Sequence, residues 1–259
     1  MTEHDDQLTV LALDTSTASL TAALARGGKV LVSVQSLSER NHSVQVVPAL
    51  KKLLEDCGLS GKDLDLIAVG QGPGSYTGVR IAVSVGKTLA WAWNKPLVGV
   101  SSLETLALGA WESKGVSAGG RSGPVWIVPV MDARRGQVYT ARWAADADGR
   151  WERLDADGIR LAAEWIEKLR QEAASGGATE IWITGDAEKH AEIWRQGEES
   201  GAAVRLVPHL MDAAATAKLA VRRFRRGEHD PVHAFVPNYT QLAEAEIKLQ
   251  AKLMAARGD

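Results

Sequence analysis

A chain of 259 residues, 45% hydrophobic and 24% charged, has enough apolar material for two small domains or one large α/β domain, which excludes a disordered or fibrous protein. Its 30 basic and 32 acidic side chains leave a formal charge of −2, without the basic excess of a domain that holds nucleic acid alone; a single cysteine, Cys57, excludes an internal disulfide or a cysteine-rich zinc site. Residues 1–7 are polar and acidic, are expected to be a flexible N-terminus and show no secretory signal pattern, and no run approaches about 18 apolar residues, so a cytoplasmic protein with no membrane segment is expected.

From Leu8 to Asp14 the chain reads as a near-continuous apolar strand. The runs Leu20 to Ala25 and Val30 to Val34, separated by Gly27-Gly28, complete a meander of three strands. Val46, Val47, Leu50, Leu53, Leu54 and Cys57 then recur at helical spacing, with Gly58 as a stop, while Pro48 inside the pattern predicts a kink or a later start. A strand at Leu64 to Val69 leads into the glycine-rich loop Gly70 to Gly78. A helix from about Thr77 to Trp93, a strand at Leu97 to Val100, and a helix capped by Ser101 or Ser102 and ending near Trp111 follow.

This order, β-β-β-α-β-α-β-α, is the repeat unit of the actin-like ATPase folds shared by sugar kinases, actin and heat-shock ATPases. A glycine- and serine-rich stretch, Gly115 to Gly123, reads as the linker between a first subdomain, 8–112, and a smaller α/β subdomain, 124–235. Strands near Val125 to Met131, Gln137 to Trp143 and Ile181 to Thr184 are predicted there. Helices are predicted near Ala162 to Glu172, Asp186 to Trp194 and Ala213 to Arg226, with an acidic loop at Asp146 to Gly149. A final segment, 236–259, is expected to pack back on the first subdomain through a helix from Leu242 onward.

The densest motif is Gly72-Pro-Gly-Ser-Tyr-Thr-Gly78 followed by Val79-Arg80-Ile81. Leu11-Ala-Leu-Asp-Thr-Ser-Thr17 stands upstream and Asn41-His42-Ser43 between them, with Asp132-Ala-Arg-Arg135 and Pro237-Asn-Tyr239 downstream. Together these resemble the TsaB (YeaZ) family over nearly the whole chain. The resemblance implies a degenerate two-domain actin-like ATPase fold with its second domain reduced. It also implies a non-catalytic adaptor that binds and activates the paralogous TsaD, together with TsaE, in threonylcarbamoyl transfer to adenosine 37 of tRNAs reading codons that begin with adenine. TsaC would supply the activated group, and tRNA would be met only through the complex; a self-associating scaffold, a homodimer when alone, is a further alternative, because an exposed small-residue stripe pairs with its own copy as easily as with a paralogue. No catalytic residue, metal or cofactor is expected of it.

In nucleotide-binding proteins of this fold the first hairpin turn approaches the phosphates, which makes Asp14, Thr15 and Ser16 a vestigial cofactor-binding turn or simply a polar hairpin turn. TsaD carries a His-x-x-x-His metal pair; here Val46 stands four residues after His42, so His42 reads as a helix-start residue. Neither His-Glu-x-x-His nor Gly-x-Ser-x-Gly occurs, so protease activity is not expected. Gly86-Lys87-Thr88 imitates the end of a Walker motif, but Ile81 stands where its first glycine belongs.

Gly78, Ala82, Gly86 and Ala90, spaced by four, predict a flat helix face that another helix approaches closely, either the helix of 43–57 in this chain or one from a partner. The resemblance places Val46, Leu50, Val79, Ala82, Val83, Gly86 and Ala90 at or beside the TsaD interface. Arg222, Arg223, Arg225 and Arg226 read as helix C-terminal cations or a tRNA contact. An ATP-dependent phosphotransferase of the same fold is the alternative. It needs a second phosphate loop, for which Thr184-Gly185-Asp186 is too short to be specific.

Overall fold

The buried run Thr9–Asp14 (β1) sits at the centre of a five-stranded sheet and is apolar on both faces because helices cover both. The structure, a computed structural model, describes residues 7–37, 42–114, 123–195 and 202–240. Ser19–Arg26 (β2) and Lys29–Leu37 (β3) continue antiparallel from β1. His42–Asp56 (α1) returns the chain to Leu66–Gly70 (β4), parallel to β1. Tyr76–Trp93 (α2) leads to Leu97–Val100 (β5), parallel to β4, and Ser102–Ser113 (α3) follows. The sheet order is β3-β2-β1-β4-β5.

The same path is then walked a second time. Val125–Asp132 (β6), Gln137–Ala145 (β7) and Trp151–Leu161 (β8) form an antiparallel meander. Ala162–Glu172 (α4) precedes Glu180–Gly185 (β9), and Ala191–Arg195 (α5) precedes Ala203–Val207 (β10), both strands parallel to β6 in direction. Ala213–Arg225 (α6) closes the unit. The order β10-β9-β6-β7-β8 is that of the first sheet, so the chain is two copies of one β-β-β-α-β-α-β-α unit, the second with a five-residue helix at α5.

Two elements were not legible beforehand. β8 carries Trp-Glu-Arg-Leu-Asp-Ala-Asp-Gly-Ile-Arg-Leu, whose mixed polarity suits a sheet edge but shows no period of two. β10 is the opposite edge. The helix expected over Asp186 to Trp194 is a 3₁₀ turn, Ala187–His190, followed by α5. Pro48 neither delays nor ends α1, which begins at His42. Most of the expected linker, 115–122, and the helix from Leu242 onward lie outside the described residues.

The helices α3 and α6 are exchanged between the units. α1 and α2 cover one face of the first sheet through Val46, Leu50, Val79 and Ala82, but the other face is covered by α6, which belongs to the second unit. In return α3 covers the second sheet with Leu103, Leu106 and Ala107 against Ile127, Trp143 and Trp182, while α4 and α5 cover its outer face. Where the exchanged helices meet, the buried hydroxyls of Thr105 and Thr216 lie 3.3 Å apart. α6 approaches β1 and β2 closely because Ala213, Ala217 and Ala220 face Ala12 and Ala23. Each fully buried leucine, such as Leu103, contributes about 1.5–3 kcal/mol.

A tail runs back along the first unit. Asp230 accepts from Gly99 N through Oδ2 at 2.7 Å, its own N–H donates to Leu97 O at 2.8 Å, and Phe235 is buried over Gly99. Among the described residues no helix is long and apolar enough to cross a membrane.

Candidate functional site

The two units face each other across a cleft of about 840 Å³. Its walls are the β1–β2 turn, the glycine-rich loop and start of α2, the β6–β7 turn, Gly185 to Lys189, and His209 to Met211.

Asp14 ends β1 with its carboxyl fully buried. Oδ1 accepts from Ser16 N at 2.7 Å and Oδ2 accepts from Ser102 Oγ at 2.7 Å. Burial pushes its pKa up, and the hydrogen bonds from Ser16 and Ser102 only partly oppose this. A group so enclosed, both oxygens engaged and its neutral form favoured, does not fit the role of positioning a metal. Thr15 Oγ1 donates to Gly78 O at 2.6 Å, and Ser75 N donates to Ser16 O at 2.7 Å. Gly78 has no room for a Cβ because the Thr15 carbonyl stands there. The glycine-rich motif is thus a close joint between the turn and the start of α2, whose first turn Ser75 caps through Gly78 N at 3.3 Å. Of the three residues singled out at this turn, Ser16 lines the cleft, and it is 2% exposed.

The equivalent turn of the second unit repeats the geometry with different chemistry. Asp132 ends β6, and its Oδ1 accepts from Arg134 N at 3.0 Å, the same two-residue step as Asp14 to Ser16. Asp132 N donates to Asp186 Oδ2 at 3.0 Å, His190 Nε2 stands 3.4 Å from Asp132 Oδ1, and Lys189 pairs with Asp186 at 3.2 Å. Arg134 and Arg135 both adopt left-handed backbone, φ 67° and 53°, a conformation costing a side chain of this size about 1 kcal/mol or more each. Both are exposed, and among the described residues neither guanidinium has a hydrogen bond or ion pair.

On the same rim Tyr76 and Tyr239 stack with ring centroids 5.6 Å apart, and Arg80 donates to Tyr76 Oη at 2.6 Å. Sequence reasoning assigned this pair no role, although both tyrosines lie in the motifs that carried the resemblance. It also missed His209, whose ring fills the space left by Gly109 and whose pKa burial lowers.

The remaining predicted residues fall elsewhere. His42 opens α1 and its Nε2 lies 3.1 Å from Ala18 O, tying the helix to the β1–β2 turn. Lys87, within α2, donates to Phe235 O at 2.8 Å and His233 O at 3.1 Å, so it anchors the tail. Val46, Leu50, Val79, Ala82, Val83, Gly86 and Ala90 are all buried in the chain's own core. Within the small-residue stripe, Gly78 lies against the Thr15 carbonyl and Gly86 against Val69 of β4, each too close for a Cβ, while Ala82 and Ala90 share one core with Val46 and Leu50 of α1. The accessible residues of these helices include Val44 (72% exposed), Val47 (55%), Ser84 and Thr88, beside the seven residues expected at or near the interface. Arg223 and Arg226 are held by Glu228 at 3.0 and 2.7 Å. Among the described residues no three histidine, cysteine or carboxylate groups converge to hold a metal ion.

Residues 32–184 match the family model described as TsaD, tRNA N6-adenosine threonylcarbamoyltransferase. The chain is 37% identical over 245 residues to the Bacillus subtilis tRNA threonylcarbamoyladenosine biosynthesis protein TsaB, covering 93% of this chain and 97% of that one. It is 32% identical to the Escherichia coli protein of the same name, covering 94% and 99%. A solved Pseudomonas aeruginosa structure, of a protein described as similar to peptidase YEAZ, superposes with a TM-score of 0.74 at 27% identity, over 90% of this chain and 100% of that one. With 37% and 32% identity to two TsaB proteins over more than nine-tenths of its length, the chain belongs to the TsaB family of tRNA threonylcarbamoyladenosine biosynthesis proteins.

Proposed function

We propose that this chain is a non-catalytic adaptor that binds and activates TsaD, together with TsaE, for transfer of a threonylcarbamoyl group to adenosine 37 of tRNA. The observation that carries this reading is the state of the β1–β2 turn. Where a nucleotide-using member of the fold needs donors free for phosphates and a carboxylate free for a metal, Asp14 and Thr15 are spent on Ser16, Ser102 and Gly78. A unit that keeps the fold but turns its polar groups inward suits a supporting role.

The contact with TsaD is assigned to the outer face of α1 and α2. Val44 and Val47 are exposed there, Ile81 and Val85 are half-buried, and Ser84 and Thr88 are small enough to admit a helix. Two related folds meeting through equivalent helix pairs form a pseudo-twofold contact, and the same face would pair two copies of this chain when no partner is present. An ATP-dependent phosphotransferase is the second reading, favoured only by the size of the cleft.

Reconstitution of tRNA modification with TsaC, TsaD and TsaE from the same organism tests the proposal. Product that requires this chain, while the chain alone neither hydrolyses ATP nor modifies tRNA, is the expected outcome. Product formed equally well without it overturns the adaptor role. Magnesium-dependent nucleotide binding by the isolated chain would move the assignment to the second reading.

A further inference from the structure

We infer that the β6–β7 turn, through Arg134 and Arg135, makes a direct contact with the phosphate backbone of tRNA at the rim of the cleft. The inference rests on the adaptor reading, which brings tRNA to the complex, and adds that this chain itself touches it.

Three observations converge. First, a three-residue turn in left-handed conformation is the natural place for glycine or asparagine, and two successive arginines there carry a backbone strain that packing does not explain. The Asp132 carboxylate, held in turn beside His190 and the 186–189 segment, keeps the turn in that conformation. Second, both guanidiniums are exposed and, among the described residues, unpaired, in a chain of net charge −2. The other basic cluster differs: Arg223 and Arg226 share Glu228. Free planar guanidiniums beside a cleft suit phosphate oxygens, which they can grip with two parallel hydrogen bonds. Third, Tyr76 lines the same cleft as Arg134, half-exposed, with Tyr239 stacked on it and the exposed Arg80 guanidinium 5.2 Å over its ring, which adds a further cation to this side of the cleft. A cationic rim next to an aromatic stack is the combination that nucleic acid uses, phosphates on the arginines and bases on the rings.

The experiment compares the wild-type chain with one carrying Arg134→Gly and Arg135→Gly, each assembled with TsaD and TsaE from the same organism. Unmodified tRNA transcript serves as the probe, and binding is followed by fluorescence anisotropy over a series of salt concentrations. Glycine suits the left-handed backbone, so the variant is expected to melt no lower than wild type and to assemble normally. Its affinity for tRNA is expected to fall about tenfold, with the slope of log K against log salt shallower by about 1 to 2. A second chain with Arg134→Gln and Arg135→Gln, which keeps side-chain length, should show the same loss. Unchanged affinity and slope in variants that assemble overturn the contact while leaving the adaptor role intact. Variants that bind tRNA but no longer join TsaD or TsaE also overturn it, because the arginines then face a protein. Failure of the wild-type chain itself to join TsaD removes the adaptor reading, and this inference with it.

Discussion

The two units of this chain follow one path with different chemistry. In the first, the core under α1 and α2 is aliphatic, and the turn after β1 is folded in on itself, with Asp14 buried and Thr15 joined to Gly78. In the second, the outer face of the sheet adds a buried charge and three tryptophans, Trp126, Trp165 and Trp194, to its aliphatic residues. Arg142, its side chain 8% exposed, pairs with Asp155 at 2.6 Å and Glu172 at 2.7 Å and stacks 4.1 Å over Trp126, while Arg160 lies 4.4 Å over Trp165. The turn after β6 points its two arginines outward. Duplication of a fold thus preserves backbone geometry, even to the carboxylate that closes each turn, while leaving the polar groups free to serve closure in one copy and contact in the other.

The sharpest way to break that comparison is at Arg142. Arg142→Ala takes from the Asp155 carboxylate its partner at 2.6 Å, leaving Lys168 at 3.2 Å among the described residues, and empties the stack on Trp126, so urea unfolding should show a loss of about 3–5 kcal/mol. A loss under 1 kcal/mol would mean that the second unit is held by its apolar contacts alone. The joint of the first unit comes next. Gly78→Ala drives a methyl group into the Thr15 carbonyl, which must shift, and a loss of about 2–3 kcal/mol is expected in the same measurement.

The smallest effect concerns pH. A carboxyl whose pKa rises on folding holds its proton more tightly in the native state. Its contribution is therefore fully present below the ordinary value of 3.8 and is lost as pH rises through the higher native value. Asp14→Asn removes that loss and preserves the bond from Ser16 N. The stability of Asp14→Asn relative to wild type should therefore climb as pH rises from about 4 towards 7. A flat difference across that range would show that Asp14 is not penalised by its burial.

Much of the first unit could be read directly. Its strands are apolar runs punctuated by Gly27-Gly28, Gly58 and Pro96, and its helices carry caps at Ser75 and Ser101 that accept from Gly78 N and Glu104 N. The motifs gave the family for the same reason: they lie in turns and joints whose geometry tolerates few residues. The candidate site was legible only in part. The turns at Asp14 and Asp132 stood out, whereas the loose half of the cleft, His209 and Lys189, carries no local signal because single polar residues in irregular chain have no periodicity.

The sequence by itself determined the elements of the first unit, the family, and that some surface lies very close to Gly86. Tertiary structure alone decided what that surface is. A stripe of small residues reports close approach but not the identity of the neighbour, and here the neighbour is Val69 of the chain's own sheet. The exchange of α3 and α6 was equally hidden, since an amphipathic helix encodes which of its faces is buried and not which sheet buries it. β8 and β10 escaped because an edge strand is stabilised by backbone pairing with one neighbour, and backbone pairing leaves little trace in the order of side chains.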